Sequence, residues 1–393
     1  MTEQNRWPTR RAGRSTVLAQ FGQARADLMR WALTTGDLLA DAVVDEMHRV
    51  GMRQARPVVD QGIREGLDSL ADPPPALEAL LRQTEGLPDY ADDALLDRGP
   101  LPFYTSPPPV HIIALNAGSL IRVYESPSIS AVLTTTGRLV DSAQRRIQET
   151  GSWLTRVMLP GGLRVGQPGY VATLQVRMLH AHMRRLALNR GYDASADGHP
   201  INQVDLGRTW VDFTLTAYTA EGLLGFGLSS REQADLYRYW WYVAHLLGID
   251  ERLVRGITGN EAAARLDAVF QAVTGPVTED SAVLADATLE SATSALHGLL
   301  HVPRELARPA LNALARRIHG DAVCQDLRIP PAPIADAWLG PVLSGLALAR
   351  ERRRRDPRQW QAAIDRNLAT ALDLAARPAR PAAYQRGATG SAD

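Results

Sequence analysis

The sequence predicts an all-α protein, on three observations. Apolar residues recur at three- and four-residue spacing along nearly the whole chain, strict strand-like alternation is almost absent, and proline and glycine punctuate the periodic segments at regular intervals. Of the 393 residues, 45% are hydrophobic and 22% charged, the balance of a chain that folds around a core.

The elements follow in order. Val17 to Met52 has the period of one long helix or two, with Gly36-Asp37 as the break. Asp72-Pro73-Pro74-Pro75 ends a second helical piece, and Gly86-Leu87-Pro88 through Tyr104-Thr105-Ser106-Pro107-Pro108-Pro109 is loop with at most two short helical turns. Residues 1–100 are expected to form an N-terminal helical cap on a domain of residues 101–376. Within that domain helices are expected at 110–124, 137–159, 168–190, 203–225, 229–247, 260–274, 280–301, 304–319, 334–355 and 357–376. Their limits fall at Pro127, Pro160-Gly161-Gly162, Gly191, the Ser229-Ser230 cap, Gly248, Pro276, Pro303, Gly320 and Pro330-Pro331-Ala332-Pro333. The tail, 377–393, is rich in Pro, Ala, Gly and Ser and is expected to be disordered. Arg350-Glu351-Arg352-Arg353-Arg354-Arg355 reads as a solvated helix end whose cations offset the C-terminal dipole, with an acidic partner as the alternative.

Composition removes several classes of function. The 43 basic and 43 acidic residues cancel, so no net charge drives binding to nucleic acid. Every basic residue is arginine, which excludes lysine Schiff bases and Walker-type phosphate loops. Cys324 is the sole cysteine, so intrachain disulfides and multi-thiolate metal sites are excluded, and any metal must be held by His, Asp or Glu. No window has the roughly 18 uninterrupted apolar residues of a membrane span, and the stretch after Arg10-Arg11 lacks a leader's apolar segment. A cytoplasmic protein is the expectation.

Chemistry concentrates on the helix at 168–190. On a helical wheel Thr173, Val176, Arg177, His180, Met183 and Ala187 share one face. An inward guanidinium requires an anion, and a histidine one turn away can ligate a metal. Haem meets both demands, through an axial imidazole and its propionates, while a core histidine beside an Arg–carboxylate pair meets them without a cofactor. The helix before it carries an apolar stripe of Leu139, Ala143, Ile147, Thr150, Leu154 and Val157, edged by Arg146 and Trp153. Arg146 and Thr150, four apart, project onto one patch next to Glu149, and Glu149 is placed to pair with Arg146.

Taken together, Arg146-Ile147-Gln148-Glu149-Thr150, Gly169-Tyr170, Val176-Arg177-Met178-Leu179-His180-Ala181, Pro200-Ile201-Asn202-Gln203-Val204-Asp205-Leu206 and Trp241 through Asp250 resemble the catalytic domain of the rubber oxygenases (latex clearing protein) and MpaB-type oxygenases. The resemblance spans roughly residues 105–260. It implies a globin-reminiscent helical core around one b-type haem, with His180 as the proximal iron ligand and Arg177 supporting the pocket. Arg146 and Thr150 would then line the distal side. Rubber-cleaving members carry lysine where this chain has Glu149, which implies a smaller substrate than polyisoprene. Glu125, in Tyr124-Glu125-Ser126-Pro127, is nearest in position to the family's acidic catalytic base.

The resulting expectation is a haem-dependent oxygenase using dioxygen on a small apolar, terpenoid-like alkene, by oxygen insertion or oxidative C=C cleavage. A non-catalytic haem carrier or sensor is the first alternative. The second is a metal hydrolase using His297 and His301, which lie at i and i+4 with Glu290 on the same face. Against that, Pro303 ends their helix, and histidines in a last turn are favoured by the dipole. His245 reads as a core histidine bonded to backbone.

Overall fold

The computed structural model describes residues 7–135 and 143–376, and among these it contains helices and no strand. The first part of the helix expected at 137–159, with Leu139, and the tail at 377–393 lie outside the described residues.

Helix α1 (Arg14–Thr34) ends where Gly36 and Asp37 break the periodicity, and α2 (Leu38–Val50) begins with Asp37 as its cap. Gly51 then turns the chain into α3 (Met52–Glu65), and the proline run opens α4 (Pro75–Glu85). The two short turns expected in the loop-rich stretch are α5 (Asp93–Arg98) and a 3₁₀ turn, Leu101–Thr105. Next, Pro108–Ile113, a π-helical turn Ala114–Leu120 and Ile121–Tyr124 form one continuous helix, α6.

Pro127 opens α7 (Pro127–Thr135) instead of marking a gap, because proline at a first helical position forfeits no hydrogen bond. The candidate site's two helices follow, α8 (Ala143–Val157) and α9 (Pro168–Asn189). Helix α10 joins Gln203–Val211, a second π turn Asp212–Thr216 and Ala217–Leu223. A Ser229/Glu232 capping box starts α11 (Ser230–Leu246), and α12 (Asn260–Ala272) and α13 (Glu279–Leu300) come next. Helix α14 (Arg304–Asp326) is kinked at Gly320, where the break was expected and the backbone leaves the helical region at φ 81°. The series ends with α15 (Pro333–Arg354) and α16 (Pro357–Ala376).

The main hydrophobic core runs without interruption from Val17 to Leu284, so the first hundred residues bury their apolar faces together with α8 to α12. A second cluster gathers α6, α13, α14 and α15 around Ala285, Leu311 and Leu339. Among the described residues no helix is long and apolar enough to cross a membrane.

Candidate functional site

Helix α9 buries two guanidinium groups, Arg177 and Arg184. Each needs an anion, since an unpaired buried charge is costly. Helix α2 supplies both. Arg177 donates from Nε to Asp37 Oδ2 at 2.6 Å and from Nη2 to Asp37 Oδ1 at 3.0 Å, a two-pronged pair, and from Nη1 to Gln83 Oε1 at 2.7 Å. Arg184 donates to Asp41 Oδ1 at 2.6 Å, and Arg185 pairs with Asp45. Four-residue spacing puts Asp37, Asp41 and Asp45 on one edge of α2, so the two helices are joined by a ladder of ion pairs. The anion required by Arg177 is thus a carboxylate of the protein itself.

Gly248 closes over this ladder. Its φ is 73°, and a Cβ added there would overlap Asp37 Oδ2 and lie 2.7 Å from Arg177 Nε. Gly248→Ala should therefore lower stability by roughly 2–4 kcal/mol in urea titrations, through left-handed strain and displacement of the pair. A loss below about 0.5 kcal/mol, within the range of neutral surface changes, would show the pair to be loosely held.

His180 lies between the two arginines. Its Nδ1 is buried with no hydrogen-bond partner. The residue as a whole is half-buried. Burial, and then the Arg184 charge, push its pKa down to about 4, so at neutral pH the imidazole is uncharged.

Helix α8 packs along α9, antiparallel because only residues 158–167 join them. Trp153 Nε1–H donates to Thr173 Oγ1 at 3.2 Å and sets the register. Arg146 lies as far before Trp153 as His180 lies after Thr173, so the two stand level, with Thr150 one turn along. Arg146, Glu149 and Thr150 are half-buried. Glu149 pairs with Arg145, at 2.9 Å, and not with Arg146 as the spacing suggested. Both arginines are within a helical turn of it, and of the two Arg145 is exposed while Arg146 is half-buried. Trp153 meets Phe213 and Trp240 edge-on, with ring centroids 5.7 and 6.2 Å away, and walls this side with aromatic surface.

Glu125 belongs to a different arrangement. Its carboxylate accepts from Arg122 Nη1 at 2.7 Å and Arg208 Nη2 at 2.8 Å, and Arg122 also binds Asp267 at 2.8 Å. Asp212, in the α10 π turn, lies between the same two arginines, and burial raises its pKa well above that of a free carboxyl. Glu125 therefore joins α6, α10 and α12, and its partners are not side chains of α8.

The remaining motifs resolve into structural joints. Asn202 caps α10 through Asp205 N at 3.0 Å, Gln203 spans the Gly36 and Gly248 carbonyls at 2.9 Å each, and Asp205 accepts from Arg11 and Ser128 at 2.8 Å. His245 bonds the Gln83 carbonyl at 2.9 Å, as a core histidine should. His297 and His301 are exposed, His297 bonds the Val302 carbonyl, and Glu290 is taken by Arg304. Among the described residues no three His, Cys, Asp or Glu side chains are placed to hold a metal ion.

One feature gave no signal in the sequence. The two π turns pack against each other beside a cavity of about 20 Å³. On its wall His111 Nδ1 lies 2.8 Å from Glu221 Oε1, while His111 Nε2 and Ser119 Oγ are buried without partners. This is room for one water with polar neighbours to hold it.

The fold and sequence have relatives. The family model described as the catalytic domain of ER-bound oxygenase mpaB/B′ and rubber oxygenase matches residues 111–350. The solved structure of latex clearing protein in its closed state superimposes with a TM-score of 0.66 at 18% identity, over 86% of this chain and 91% of that one. No curated protein matches the sequence.

Proposed function

This chain belongs to the family of MpaB-type and rubber oxygenase catalytic domains, and from that premise we propose that it is a haem-dependent oxygenase of small apolar alkenes, with His180 as the residue that would hold the iron. The observation that carries the reading is His180 itself, a neutral, deeply placed imidazole whose Nδ1 has no partner in the protein. A bound haem would supply the iron that activates dioxygen. The ion pairs Arg177–Asp37 and Arg184–Asp41 position the imidazole by fixing α9 on both sides of it. Since Asp37 occupies Arg177, that guanidinium acts as a positioning group and the haem carboxylates would be met by other residues. Arg146 and Thr150 bring N–H and O–H donors to the level of His180, where they can hold an oxygen-containing reactant or move a proton. Trp153, Phe213 and Trp240 exclude water and suit an apolar substrate.

The test is optical. Purified holo protein should be red, with a Soret band and about one iron per chain. Dioxygen uptake on adding an alkene then separates an oxygenase from a haem carrier or sensor. Arg146→Leu should keep the Soret band while turnover falls roughly tenfold to a thousandfold, the range for loss of one oriented donor. Loss of haem in that variant would place Arg146 on the cofactor instead.

Glu149 is engaged by Arg145, and the chain has no lysine to supply an amine as sixth iron ligand. A high-spin or mixed-spin ferric spectrum that shifts with added imidazole is expected, together with little polyisoprene cleavage. A low-spin spectrum that imidazole does not alter would show a side chain closing that position.

A further inference from the structure

Helix α15 is anchored along one side only. Asp336 pairs with Arg317 at 2.6 Å, Arg350 donates to the Gly227 carbonyl at 2.7 Å, and Arg354 reaches Glu232 at 2.7 Å. Ala335, Leu339 and Leu343 face the protein. On the outer side, Ile334 is 84% exposed, and Trp338, Val342, Leu346 and Leu348 are exposed with it. The four-residue steps from Ile334 through Trp338 and Val342 make these one continuous stripe. Arg352 and Arg353 extend the same face at its C-terminal end, with Arg355 at its edge, and all three are exposed.

We propose that this face is a docking surface for an anionic lipid bilayer, on which α15 lies in the interfacial plane. An apolar stripe containing a tryptophan, extended by arginines at one end, is the pattern by which a helix settles at the boundary of headgroups and acyl chains. Charge complementarity selects this occupant. Within the stripe no acidic residue stands among the exposed apolar ones, so a surface of negative headgroups meets no like charge there. A second copy of the chain fits less well, because one helix face falls short of the roughly 800 Å² per partner of a stable dimer.

The full chain is sedimented with phosphatidylcholine vesicles, with and without phosphatidylserine. Binding should be roughly tenfold stronger to the anionic vesicles and should weaken with salt. Trp338→Glu and Val342→Glu, both at exposed positions, should keep the parent's melting temperature and lose at least about tenfold in binding, while Leu306→Glu, exposed on α14, should bind like the parent. Absence of vesicle binding, binding indifferent to the α15 substitutions, or conversion of a dimer to a monomer by those same substitutions would each overturn it.

Discussion

Replacing His180 by alanine should yield a folded chain without a Soret band, while His297→Ala and His301→Ala retain the parent's full absorbance. Stability should change little, by about 1–2 kcal/mol, because the Nδ1 that is removed has no hydrogen bond to lose and the residue is only half-buried. Haem content and melting temperature, measured on the same samples, separate ligand loss from unfolding. A folded His180→Ala protein with one haem per chain would end the axial assignment.

Arg177→Leu should have the largest effect on stability, a loss of roughly 3–5 kcal/mol in urea titration, because Asp37 would remain buried without its cation. The cause can be isolated. Asp37 also caps α2, accepting from the Ala40 N–H at 3.3 Å, and serine can keep that cap while removing the charge. The double variant Arg177→Leu/Asp37→Ser should therefore be more stable than Arg177→Leu alone. If the second substitution only adds to the loss, the defect lies in packing around the introduced leucine and not in an orphaned carboxylate.

The helices were legible in the sequence wherever proline, glycine or a cap residue stood at the end of an apolar period, as at Asp37, Ser229 and Pro333. The two π turns were not, because widening a turn by one residue leaves the apolar spacing nearly unchanged. Pro127 misled for a related reason, since the same residue can end one helix or open the next. At the site, a wheel placed Arg177 and His180 on one face, but the carboxylate answering Arg177 is 140 residues away and leaves no local trace. Spacing also pointed Glu149 to Arg146, whereas its partner is Arg145, which is equally within one helical turn. Glu125 was selected by position alone, and only the fold brings Arg208 to it.

The ladder between α2 and α9 also bears on how the chain is made. Asp37, Asp41 and Asp45 leave the ribosome some 140 residues ahead of their arginines, so α2 emerges with three carboxylates facing water in place of their cations. Closing so long a loop is entropically slow, and until it closes the apolar side of α2 has no complete surface to cover. Synthesis stalled before Arg177 would thus leave a half-formed bundle for chaperones to hold, and release of the α9 segment would be the event that commits the N-terminal helices to their native places.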